Sequence, residues 1–112
     1  MRIKMKSQIN DIVKNFIRDT QLILKDNLVA SYLFGSYARS EQTPESDIDI
    51  LFIVKEFNSK IRNEMSSLSA DYSIEKDVII SPILKDIHVW QRNQKYKTLF
   101  YNDIIKDGIK LC

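Results

Sequence analysis

Two short apolar runs, LVASYLF from Leu28 to Phe34 and DIDILFIV from Asp47 to Val54, constrain this chain more than any other feature. Each is too short for a helix of ordinary length and rich in β-branched and aromatic residues, so each reads as a buried strand. The connection SYARSEQTPES is polar, and Pro44 sets a turn before the second run. Side chains alternate along a strand. Asp47, Asp49, Leu51 and Ile53 therefore share one face, and Ile48, Ile50, Phe52 and Val54 the other.

Helical patterns surround these runs. From Lys4 to Asn27 the residues Ile9, Ile12, Val13, Phe16, Ile17, Ile23 and Leu24 recur mostly three or four apart, which predicts an amphipathic helix. From Asn58 to Asp71, Ile61, Met65 and Leu68 follow polar residues able to cap a second helix. DVIISPIL, Asp77 to Leu84, reads as a third strand whose Pro82 points to an edge position or a bulge. The stretch from Asp86 to Leu111 predicts one or two closing helices, with Gly108 placed for a left-handed cap. Helices alternating with short buried strands give an α/β or α+β layer architecture. With neither repeat nor linker, residues 1–112 read as one domain.

Composition removes several classes of function. The 17 basic and 15 acidic residues nearly cancel, so neither a nucleic-acid-binding basic tail nor an acidic disordered chain is indicated. No apolar run approaches the roughly 20 residues that span a bilayer, and the opening MRIKMKSQINDIVKNF lacks the apolar stretch of a signal peptide. The expectation is a cytoplasmic chain without membrane contact. The single cysteine, Cys112, excludes an internal disulfide and a cysteine-based metal cluster. Two glycines in 112 residues lie far below the usual share of about 7%, so each needs a reason.

The chemistry concentrates in LFGSYARSEQTPESDIDILFIV, residues 33–54. Carboxylates two positions apart on a strand project to the same side, about 6.6–6.8 Å apart along the chain, and can share divalent cations. Asp47 and Asp49 repel one another at the head of a buried strand, a cost that a bound cation relieves. Oxygen ligands favour Mg²⁺ or Mn²⁺ over zinc, for which the chain offers only His88. A glycine at a strand end admits a phosphate close to the backbone, and the Ser36 hydroxyl and the amides of a following helix can hold anionic oxygens. Gly35 and Ser36 thus suit a nucleoside triphosphate, with Arg39 able to add a charge-assisted phosphate contact.

Gly-Ser, ten residues, then Asp-x-Asp, in GSYARSEQTPESDIDILFIV, resembles the minimal nucleotidyltransferases of the DNA polymerase beta superfamily, and the closing LFYNDIIKDGIKL is similar to the end of many such domains. The resemblance implies a small mixed sheet flanked by helices. It also implies transfer of a nucleoside monophosphate to a hydroxyl, with release of pyrophosphate. By the same likeness Gly35 and Ser36 match the phosphate-holding pair, and Asp47 and Asp49 the metal-binding carboxylates. Ser40 stands where the family often has glycine. The family places a third carboxylate on a later strand; Asp77 is the candidate for this catalytic and metal-binding role, and Glu75 has the same parity. Small stand-alone members resemble antitoxins that pair with a helical HEPN toxin and add AMP from ATP to its tyrosine. The implied partners are therefore ATP and a HEPN-type protein, and the acceptor is held by a partner or a second copy.

Two other functions fit the same residues. One is a non-catalytic nucleotide-binding subunit that neutralises its partner by occupation. The other is the catalytic subunit of a split small-molecule, antibiotic-modifying nucleotidyltransferase. A template-dependent polymerase is disfavoured, because the chain has no basic stripe. Ser46 reads as a turn residue, His88 as a surface or half-buried helix residue, and Tyr96, Phe100 and Tyr101 as core aromatics at helical spacing.

Overall fold

A computed structural model describes residues 7–112. Helix α1 spans Ser7–Leu24, and the expected start at Lys4 lies outside the described residues. Strand β1, Leu28–Phe34, has the expected bounds, while β2, Ile48–Val54, begins one residue after Asp47. Helix α2 follows at Ser59–Lys76, then β3 at Ile80–Asp86, α3 at Ile87–Lys95, α4 at Leu99–Asp107 and the two-residue β4 at Ile109–Lys110. The sheet order is β3-β2-β1-β4. β1 runs antiparallel to both β2 and β4, whereas β2 and β3 are parallel. A parallel pair needs a long crossover, and α2 supplies it. β3 is an edge strand, which explains how Pro82 is accommodated in it.

Both faces of the sheet are covered, and the alternation of β2 divides the core between them. On one face Val13 and Phe16 of α1 and Met65 and Tyr72 of α2 pack with Ile48, Ile50, Phe52 and Val54. The Phe16 ring lies 6.2 Å from Phe52 and meets Tyr72 edge-on at 5.1 Å. The Tyr72 hydroxyl donates to Asp19 at 2.7 Å and ties α2 to α1, and the Ser69 hydroxyl donates to the Ile80 carbonyl and ties α2 to β3. On the other face Trp90 and Ile104 cover Ala30, Leu51 and Ile53. Phe100 stands edge-on to Phe34 at 5.5 Å, and Tyr101 lies 5.2 Å from Trp90. Phe100 and Tyr101 are thus core residues as expected, whereas Tyr96 and His88 are exposed. Each large apolar side chain buried this way contributes about 1.5–3 kcal/mol.

Three features depart from the sequence pattern. Helix α2 continues five residues past Asp71 and ends in Asp77, whose left-handed backbone (φ 55°, ψ 42°) caps it by donating its N–H to the Ser73 carbonyl at 3.2 Å. The expected strand start at Asp77 is therefore a helix terminus, and Glu75 lies inside α2. Gly108 is extended (φ −64°, ψ 142°) rather than left-handed; a Cβ there would come within 2.4 Å of the Ile104 carbonyl oxygen, so close approach is what the position demands. The last residues continue along the free edge of β1: Leu111 donates to the Ser31 carbonyl at 2.8 Å and Ser31 donates to the Cys112 carbonyl at 3.0 Å. Lys25, Ser40, Asp77 and Lys97 take up positive φ where glycine is commoner.

Candidate functional site

β1 runs into Gly35, and Phe34, its last residue, pairs with Asp49 of β2. Gly35 turns with φ +74°, and a Cβ on it would meet the Asp49 carboxylate oxygen at 2.3 Å. Only glycine lets the chain pass this carboxylate in this conformation. Beyond it, residues 36–40 form successive turns instead of the expected helix. Arg39 donates its N–H to the Gly35 carbonyl at 3.2 Å and Glu41 donates to that of Ser36 at 2.9 Å. Tyr37, buried in the α1/α2 core, anchors these turns. The loop closes in a turn around Pro44, where Thr43 N–H donates to the Ser46 hydroxyl at 2.9 Å and Ser46 N–H to the Thr43 carbonyl at 3.0 Å. Ser46 is thus the turn residue that its sequence context suggests.

Asp49 is half-buried and Asp47, just before β2, is exposed. Burial pushes the Asp49 carboxyl above the usual aspartate range, the charge of Asp47 pushes it further, and Arg39 partly offsets both. Two carboxylates in that state form an all-oxygen donor set whose repulsion a divalent cation would relieve, which fits Mg²⁺ or Mn²⁺. The Arg39 guanidinium pairs with Glu41 at 2.7 Å, and that hydrogen bond raises its pKa. A phosphate on Arg39 would have to share it with Glu41 or displace Glu41.

A groove of about 820 Å³, lined among others by Tyr37, Thr43, Ser46, Asp47, Asp77 and Ile79, opens between the loop and the ends of α1 and α2. Asp47 and Asp77 thus border one groove, of which Asp49 is not part. Among the described residues no three histidine, cysteine or acidic side chains gather closely enough to hold a metal ion, so Asp47, Asp49 and Asp77 do not form a triad. The position beside Asp49 on β3 belongs to Ser81. Two further residues stand here that the sequence pattern does not single out, Tyr37 in the groove lining and Ser81 beside Asp49. An aromatic inside a polar loop was a legible signal for Tyr37, whereas Ser81 follows only from the pairing of β2 with β3.

Among the described residues no helix is long and apolar enough to cross a membrane. The family profile "Polymerase beta, Nucleotidyltransferase" matches residues 13–112. A Methanocaldococcus jannaschii protein named "Putative protein adenylyltransferase" is 35% identical over 105 residues, which make up 93% of this chain and 99% of that protein. Two solved structures share the fold. One is a toxin–antitoxin with AMP-PNP, at TM-score 0.56 and 24% identity, covering 88% of this chain and 72% of that one. The other is a tri-AMPylated Shewanella oneidensis HEPN toxin in complex with an MNT antitoxin, at TM-score 0.50 and 21% identity, covering 91% and 71%. With its profile match, its mixed sheet and a near full-length relative, this chain belongs to the polymerase beta nucleotidyltransferase family.

Proposed function

We propose that the chain transfers AMP from ATP to a hydroxyl of a partner protein, as an Mg²⁺-dependent adenylyltransferase of the antitoxin type with a HEPN-type helical partner. The observation that carries this reading is the packing of Gly35 backbone against Asp49 at the head of β2, with Asp47 two residues before it. The M. jannaschii relative's name supports a protein acceptor, and the AMPylated HEPN complex supports the choice of nucleotide and partner.

In this reading Asp47 and Asp49 would hold Mg²⁺, which would supply charge neutralisation to the phosphates. Gly35 and Ser36 face the triphosphate with backbone amides and a hydroxyl, and Arg39 adds positive charge next to the same loop. The acceptor oxygen forms a bond to the α-phosphorus in line with the bridging oxygen to the β-phosphate. That bridging bond breaks, pyrophosphate leaves, and the acceptor proton passes to water or a nearby base. The chain contributes mainly positioning and electrostatics. Such a reaction belongs in the cytoplasm, where ATP is abundant.

The test is intact-mass analysis of the partner encoded beside this gene after incubation with ATP and Mg²⁺. The expected result is a gain of whole AMP units, reduced about 100-fold or more by Asp47→Asn with Asp49→Asn. An unmodified partner, or transfer undiminished in the double variant, would overturn the reading. The missing triad keeps one second function in view, neutralisation of the partner by occupation alone. It predicts that the double variant still silences the partner at ordinary stoichiometry.

A further inference from the structure

β2 and β3 are parallel and in register over their full lengths, with Asp49 level with Ser81, Ile50 with Pro82 and Leu51 with Ile83. Adjacent strands lie about 4.8 Å apart, so residues level with one another on the same face are side-by-side neighbours. Leu51 and Ile83 pack in the same α3/α4 core, which identifies the face, and Ser81 and Asp49 share it one step nearer the site. Just before β3, Ile79 gives its carbonyl to the Ile48 N–H at 2.8 Å and is itself apolar and exposed. The same-face positions beside Asp49 and next to the start of β2 are therefore Ser81 on β3 and Ile79 just before it, and neither is an acid. Asp77 precedes this row as the left-handed cap of α2, and among the described residues it does not gather with Asp47 and Asp49 into a group that could hold a metal ion.

We infer that the Ser81 hydroxyl, and not an acidic side chain, fills the third position of the site, so that Asp47 and Asp49 are its whole carboxylate set. This rests on reading those two residues as the metal-holding pair. Two carboxylates balance one divalent cation. A third would favour a second cation before any nucleotide arrives, since affinity follows the charge count of the ligands. With serine in that place, a second cation depends on the negative charge that the triphosphate brings. Ser81 thus stands level with Asp49 without adding charge to the site.

Titration of the full chain with Mn²⁺ alone, followed by electron paramagnetic resonance, tests the assignment. Ser81→Asp is expected to tighten Mn²⁺ binding about 10-fold, Ser81→Asn to leave it no tighter, and Asp77→Asn to leave it unchanged. A weakening in Asp77→Asn as large as that in Asp49→Asn would overturn the inference, and this arm decides even where Ser81→Asp does not fold. A Ser81→Asp chain that is folded by circular dichroism and binds no tighter would also overturn it. Mn²⁺ capture by Ser81→Asp but not by the unsubstituted chain would support this assignment while counting against the transferase reading. AMP transfer by the unsubstituted chain without tightening in Ser81→Asp would do the reverse.

Discussion

The two faces of β2 carry different work, although one seven-residue strand supplies both. Ile48, Ile50, Phe52 and Val54 are covered along the whole strand by two 18-residue helices. On the opposite face the shorter α3 and α4 cover Leu51 and Ile53 and leave Asp49 half-buried beside Gly35. A fully covered face tolerates only apolar residues. A face covered over part of its length can keep a carboxylate ionised at its open end while the rest of the strand holds it rigid. Rigidity from one side and access from the other is what a positioning site requires.

The covered face should be the more costly to damage. Phe52→Ala is expected to destabilise the chain by about 3–5 kcal/mol in urea unfolding, since Phe52 is fully buried against Phe16. A loss below about 1 kcal/mol would mean that the α1/α2 face is loosely packed. Gly35→Ala should cost less, about 1–2 kcal/mol from the left-handed backbone, yet should displace Asp49 and weaken Mn²⁺ and ATP binding. Unchanged binding in a folded Gly35→Ala chain would remove Gly35 from the site.

Two smaller effects sharpen the contrast. Ser40 holds φ +58° in the loop, so Ser40→Gly should raise stability by about 1 kcal/mol, read as a higher urea midpoint. The folded state raises the Asp49 pKa, so in metal-free chain its contribution to stability is largest below the ordinary aspartate range and is lost as pH rises through the raised value. Asp49→Asn should therefore be the slightly more stable form at neutral pH, with the difference closing as pH falls towards about 4. A difference that stays constant across that range would show that burial on the open face does not govern this carboxylate.

Much of this was legible in the chain itself. The strand LVASYLF has its expected bounds, DIDILFIV is off by one residue, and Asn58 caps α2 by accepting the Ile61 N–H at 2.9 Å. Pro82 on an edge strand and Ser46 in a turn follow equally local rules. The errors share a cause. Whether SIEK joins α2 or leads into β3 depends on what α2 packs against, and Ser69 and Tyr72 hold that part of the helix to β3 and α1. The two residues of β4 carry no periodicity and become a strand only because β1 offers a free edge.

By itself the sequence determined which segments bury and that Asp49 shares a face of β2 with Leu51 and Ile53, and it marked Gly35, Ser36, Asp47 and Asp49 as candidates for one constellation. Those properties rest on side-chain alternation and residue chemistry within a few positions of the chain. Only the tertiary structure decided that Asp77 closes a helix, that the loop after Gly35 is a set of turns held by Tyr37, and that Ser81 stands level with Asp49. These depend on pairing and packing between residues tens of positions apart. A shift of two residues in the register of β3 would keep every side chain on its face and put a different one beside Asp49.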